Sequence, residues 1–285
     1  MFRNKTIHVI LFFLTVLTTF FVGYLFSGSL ISAALYSGAL MSILFCHEMG
    51  HFLMARKYGV PATLPFFIPV PFFPFGTLGA VIKMQGNIPD RRALLDIGAA
   101  GPLAGLAVSI PVIFIGIKLS TIIETQQISE GMISLGDSLL FSWLSRLAIG
   151  KLPEGQELIL HPLAYAGWVG FLVTAMNLLP VGQLDGGHII YSLFQKRSRF
   201  ISFMIYGMMV YVFLFHSAMW MLWLILLGIF HRHPPTLYDA LPLDSGRKWL
   251  GSLTLLAFVL TFTPAPFAEV EGLIKLLPQL LGGGG

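Results

Sequence analysis

The chain has 285 residues, of which 56% are hydrophobic and only 11% charged, and its mean hydropathy is +0.82. Soluble domains carry about 25% charge, so the composition excludes an ordinary water-soluble protein and points to a bilayer. A net charge of +4 and a pI near 9.2 would suit nucleic acid, but Lys and Arg fall in small clusters beside apolar runs, the pattern that orients membrane helices. No nucleic-acid partner is expected, and the single cysteine, Cys46, rules out an intrachain disulfide.

Apolar runs predict spans at 7–26, 30–56, 93–117, 162–179, 200–230 and 249–263, the fifth broken near His216. The first run follows Arg3 and Lys5 and reaches about 20 residues, longer than a signal-peptide core of about 7 to 15, so it reads as a retained span. Between residues 61 and 74 prolines recur at 61, 65, 69, 71 and 74 among phenylalanines, which forbids a helix and predicts extended chain. Gly76 to Lys83 follows with strand-like composition. Non-helical backbone at membrane depth survives only against protein or a wet cavity, so a re-entrant hairpin beside a cavity is expected.

In the span that begins near residue 93, Gly98, Gly101 and Gly105 permit close helix packing, and Arg91 and Arg92 anchor its start at the interface. The longest polar connection, about residues 118 to 161, is net acidic. Within it Asp137 reads as the cap of an amphipathic helix that is closed by Gly150 and lies on the membrane surface or packs against the loop. With Arg3 and Lys5 inside, alternation puts Arg56, Lys57, Arg91, Arg92, Lys196, Arg197 and Arg199 inside as well. The whole reads as an all-α polytopic membrane protein of about six to seven transmembrane helices with a membrane-re-entrant β-hairpin. It reads as a single transmembrane domain over 1–281, with a glycine tail at 282–285 that has no packing value.

The chemistry begins at Cys46-His47-Glu48-Met49-Gly50-His51. Two histidines four apart on a helix lie about 40° from one another, so both imidazoles can grip one ion, while Glu48 projects about 60° from His51 and flanks the metal. Zinc accepts such donors and lowers the pKa of a bound water to about 7; Glu48 would take the proton and pass it to the leaving amine. Three ionisable groups in one turn of a membrane span argue against a merely structural cluster. Asp185 is the candidate third ligand, because His47 lies about 13 Å and Asp185 about 16 Å along a helix from the basic clusters that follow them. The competing reading makes Asp185 a helix cap after the Pro180–Gly182 turn. The Asn177 amide is a candidate donor to a developing oxyanion. His188, three residues after Asp185, would orient its carboxylate or simply pack. His231 and His233 beside Arg232 form a weaker candidate for an accessory metal.

HEMGH at 47–51 in the second span, the proline-rich stretch leading to FGTLGAVI, GAAGPLAG at 98–105 and NLLPVGQLDGGH at 177–188 together resemble the site-2 protease family of intramembrane metalloproteases. The resemblance covers about residues 30 to 195, the expected catalytic core. It implies one zinc held by His47, His51 and Asp185, Glu48 as base, Asn177 assisting the reacting carbonyl, and a hairpin that aligns the substrate strand. It also implies cleavage of single-span or membrane-tethered regulatory proteins. The 118–161 loop is too short for the PDZ domain of many members, so the chain is similar to the subgroup without one. A zinc or cation transporter using the same histidines is the alternative, although it would want successive sites in several spans. The expected location is a bacterial or archaeal cell membrane, since no Arg- and Ser-rich leader is read; the oligomeric state is left open.

Overall fold

The structure, a computed structural model, describes residues 5–72, 74–127, 133–229, 236–268 and 270–280. Helices α1 (Lys5–Ser27) and α2 (Leu30–Lys57) form an antiparallel pair joined by Gly28 and the Ser29 cap. Strands β1 (Phe66–Pro69) and β2 (Thr77–Val81) follow as an antiparallel hairpin, with Phe66 opposite Val81 and a bulge between Phe67 and Pro69. The prolines thus shape a hairpin, as expected: Pro69 ends the ladder of β1, where a missing donor costs least. Helix α3 (Arg91–Lys118) is capped by Asp90, whose carboxylate accepts from the Ala93 N–H at 2.8 Å.

Beyond α3 come β3 (Thr121–Glu124), α4 (Leu139–Ile149) and β4 (Gln156–Ile159), with β3 and β4 paired antiparallel. Sequence reading missed this second sheet, because TIIE and QELI are short and lie 31 residues apart in a polar loop. The loop helix is present and Gly150 closes it, but its cap is Ser138, not Asp137: the Ser138 hydroxyl accepts from Phe141 N–H, while Asp137 accepts from the Ser142 hydroxyl. One edge buries Phe141 and Leu144 and the other exposes Leu139, Trp143 and Leu147, so the helix both packs on the loop and presents an apolar line outward.

Helix α5 (Pro162–Asn177) is buried along most of its length and packs on α2 and α3; these three make the centre of the molecule. A turn leads into α6 (Asp185–Phe194), a single 3-10 turn over Gln195–Arg197, and α7 (Ser198–Phe215). Gln195 has φ +49°, the one non-glycine in the left-handed region among the described residues, and it makes the elbow between α6 and α7. α7 ends at His216, where the sequence predicted a break, and α8 (Met221–Ile229), α9 (Ser245–Thr261) and α10 (Leu273–Leu280) complete the chain. Four helical stretches are long and apolar enough to cross a membrane: α1, α2, α3 and the continuous run Asp185–Phe215.

Arg91 departs from expectation. It is buried rather than an interfacial anchor, and its guanidinium donates to the carbonyls of Asp239, Ser192 and Leu241 at 2.8–2.9 Å. Arg92 donates to the Pro242 carbonyl, so the two arginines bind the strap over 236–244 to the start of α3. Arg247 of α9 closes the same face with an ion pair to Asp96 at 2.9 Å and a hydrogen bond to Tyr58. The reason is steric as well as electrostatic: an arginine with five donors can serve three carbonyls at once, and the Asp239 carbonyl also accepts from the Gln195 side-chain amide at 2.9 Å. Arg91→Met should lower the stability of detergent-purified protein by about 2 kcal/mol, because the Ser192 and Leu241 carbonyls lose the guanidinium while that of Asp239 keeps the Gln195 amide. Arg92→Met, which loses one exposed bond, should leave the thermal unfolding midpoint nearly unchanged.

Asp239 in that strap responds to pH. Burial works to raise its pKa, but hydrogen bonds from the Thr236 and Tyr191 hydroxyls and the nearby Arg91 outweigh it and hold the carboxyl below its ordinary value. A carboxyl depressed in the folded state adds stability above its unfolded pKa of about 3.9, and loses that contribution as pH falls through the lower folded value. Thermal scans should therefore show an acid-side decline below about pH 4 that is shallower in Asp239→Asn than in the parent.

Candidate metal centre

His47 and His51 stand on one face of α2, both buried, with their Nε2 atoms 3.3 Å apart. Asp185 brings Oδ2 to 3.1 Å from His51 Nε2 and 3.5 Å from His47 Nε2. Donors bound tetrahedrally at about 2.0–2.1 Å from one zinc stand about 3.3–3.4 Å from each other, so this triangle has the edge lengths that zinc requires. Two nitrogens and one carboxylate oxygen also match the donor set of catalytic zinc, which leaves a fourth position open. Among the described residues this is the one group of His, Cys, Asp and Glu donors so arranged.

Local sequence explains how residues 134 apart converge. Pro180 and Gly182, the latter at φ +58°, turn the chain sharply after α5. Gly186 and Gly187 then press against the backbone of Leu178 and Gly182, where a Cβ would overlap carbonyl oxygens. The cap position of α6 is Leu184 and no side-chain cap bond is made, so Asp185 does not cap its helix. Its carboxylate is turned to the imidazoles instead.

On the other side α3 comes unusually close. A Cβ at Gly101 would overlap the His51 ring, one at Gly105 would meet His47 Nδ1 at 3.2 Å, and Gly50 of α2 lies against the Ala100 carbonyl. The proximity lets His51 Nδ1–H donate to the Ile97 carbonyl at 2.8 Å, which leaves the Nε2 lone pair facing Asp185 and His47. Gly98, the third glycine of that stripe, faces the His188 Cβ. His188 thus stands one turn past Asp185 beside α3.

Glu48 is buried one step round the helix from the histidines, and its carboxylate accepts from the backbone N–H of Ile82, just past β2. Asn177, the last residue of α5, brings its side-chain nitrogen to 3.3 Å from His47 Nε2. The structure thus gathers His47, Glu48, His51, Asn177 and Asp185 in one place. Cys46 is half-buried and is not part of the donor group. His231, Arg232 and His233 lie outside the described residues. The Ile97 carbonyl and the Ile82 amide were missed, since backbone partners leave no mark on residue identity.

The model of peptidase family M50 matches residues 35–219, which include every residue of the site. The chain belongs to peptidase family M50. This is the site-2 protease family of zinc metalloproteases, so the cofactor implied for the triangle is zinc. Among curated relatives, "Probable zinc metalloprotease EGY1, chloroplastic" of Arabidopsis thaliana is 33% identical over 234 residues, 79% of this chain and 42% of the relative. "Probable zinc metalloprotease EGY2, chloroplastic" of the same plant is 30% identical over 240 residues, 81% of this chain and 42% of the relative. The rice (Oryza sativa subsp. japonica) EGY1 is 37% identical over 170 residues, 56% of this chain and 28% of the relative. The chain therefore spans less than half the length of these relatives, and no solved structure matches it. Their chloroplastic names lend no support to the bacterial or archaeal membrane expected from sequence; what stands is a family M50 chain with several membrane-length helices.

Packing of α3 on the imidazoles makes metal retention sensitive to a single methyl group. Gly101→Ala should lose most of its zinc on elemental analysis of the purified protein, where the parent holds about one ion per chain. Gly105→Ala, whose Cβ is merely tight at 3.2 Å, should keep most of it.

Proposed function

We propose that the chain is an intramembrane zinc metalloprotease that hydrolyses peptide bonds in or near the transmembrane segments of membrane-anchored regulatory proteins. The observation that carries this reading is the zinc-sized triangle of His47, His51 and Asp185 with Glu48 beside it, buried among membrane-length helices in a family M50 chain.

When bound, zinc supplies a Lewis acid and a water acidic enough to attack at neutral pH. Glu48 takes the proton of that water and returns it to the leaving nitrogen, so its carboxylate must alternate between two partners while Ile82 N–H holds it in place. Asn177 donates its amide hydrogens to the carbonyl oxygen as negative charge develops there. His188 supports the backbone and carboxylate of Asp185 from the following turn. The β1–β2 hairpin re-enters the membrane and aligns an extended substrate strand, since it is tied to Glu48 through residue 82. Six to seven crossings are drawn from α1, α2, α3, α5, the α6–α7 pair, α8 and α9, in one domain over 1–281, with the site nearer the cytosolic face. Substrates reach it from the surrounding lipid bilayer.

A transporter reading is not favoured, because the donors are concentrated at one point, whereas conduction wants several weak sites in succession. Co-expression with a panel of single-span proteins tests the proposal. Glu48→Gln should keep its zinc yet lose at least about a hundredfold in cleavage rate, and His47→Ala should lose both metal and cleavage. Cleavage undiminished in Glu48→Gln, or zinc flux into liposomes without any proteolysis, would sink it.

A further inference from the structure

Most buried Ser and Thr hydroxyls in the helices of this protein follow one habit, while Ser37 of α2 donates across to the Val16 carbonyl of α1 instead. Thr15, Thr19, Ser109, Ser192, Thr254 and Thr261 each donate to the carbonyl four residues earlier, at 2.8–2.9 Å. Thr174 in α5 breaks it. Its residue is 1% exposed, and its Oγ1 is, among the described residues, the one buried side-chain nitrogen or oxygen with no hydrogen-bond partner. An unpaired buried hydroxyl costs about 1–3 kcal/mol, and the back-bond that six neighbours use was open to it, four residues after Gly170.

Its location supplies the reason. The face of α5 that meets α2 and α3 runs from Gly167, against Ile113, through Gly170, against Ser109 and Ile43, to Asn177, beside His47. Thr174 lies on this face, about 40° round the helix from Gly170 and about 60° from Asn177, one turn from the metal centre. Side chains three apart are neighbours on a helix surface. Oγ1 is shielded from bulk solvent, so the polar side chains that share its seam are the protein groups within its reach. Asn177 is the polar side chain on that face one turn away. Its amide now lies against His47 Nε2, an acceptor that ceases to be available once that nitrogen is a zinc ligand.

We infer that Thr174 is a positioning residue for Asn177: in the zinc-loaded protein its hydroxyl donates to Asn177 Oδ1, fixing the carboxamide so that both amide hydrogens face the reacting carbonyl. This deepens the protease reading and rests on it for its kinetic consequence, but the hydrogen bond itself can be tested without turnover.

The experiment compares Thr174→Val, which keeps the shape and removes the hydroxyl, with Thr174→Ser, which keeps the hydroxyl, each alone and combined with Asn177→Ala. Without metal, Thr174→Val should melt no lower than the parent, since it removes an unpaired group. The rise in melting temperature on adding zinc should be smaller in Thr174→Val than in the parent, and restored in Thr174→Ser. Zinc content should stay at about one per chain. With a cleaved single-span substrate, Thr174→Val should lose about tenfold in kcat with KM little changed, and that loss should vanish in the Asn177→Ala background. An equal zinc-induced rise in Thr174→Val and parent would overturn the inference, as would a kcat loss that persists undiminished without Asn177. If the parent cleaves nothing, the protease reading fails, while the melting comparison still decides the role of Thr174.

Discussion

Everything in this molecule depends on three donors, two from α2 and one from the start of α6, meeting at one largely buried point. The backbone has to bring the imidazoles and the carboxylate to within 3.1–3.5 Å without a side chain in the way. Glycine is what permits it. Gly101 and Gly105 let α3 lie flush on the histidines, and Gly186 and Gly187 let α6 begin directly on the turn after α5. The apolar bulk of α2, α3 and α5 is packed around that contact, and the burial it provides makes each electrostatic interaction there stronger than it would be in water.

A second set of polar contacts acts at the start of α3, close beside the site. Arg91, Arg92 and Arg247 join the start of α3 to the strap and to α9, and Asp96, the partner of Arg247, directly precedes Ile97. Ile97 is the residue whose carbonyl orients His51. The first two turns of α3 are thus held from one side by arginines and used on the other as a support for His51, so the tie at Asp96 lies one residue along the backbone from the site.

Most of this was legible in residue identity. Long apolar runs give helix positions to within a few residues, because nothing but a helix satisfies its own backbone in lipid. HEMGH marks two histidines as candidate ligands and a glutamate as candidate base by helical geometry alone, and the break at Pro180–Gly182 announces the turn that brings Asp185 to them. Other features left no such trace. The β3–β4 pair is two four-residue strands with no distinctive alternation, and its partners are far apart in sequence. Arg91 looks like any arginine at a span boundary; only the fold of the strap, 148 to 150 residues away, turns it into an internal tie. Ser138 displaced Asp137 as a cap because either residue can serve and backbone direction decides.

The tie between Glu48 and the main chain at Ile82 has a consequence for how this region tolerates change. Because the donor is a backbone amide, any residue but proline at position 82 supplies it, and the chemical character of that side chain is free to drift. The spacing is not. Inserting or deleting one residue within β2, ahead of position 82, would reverse which amides point toward the glutamate, since successive groups on an extended chain face opposite ways. The hairpin is therefore written in length rather than in lettering.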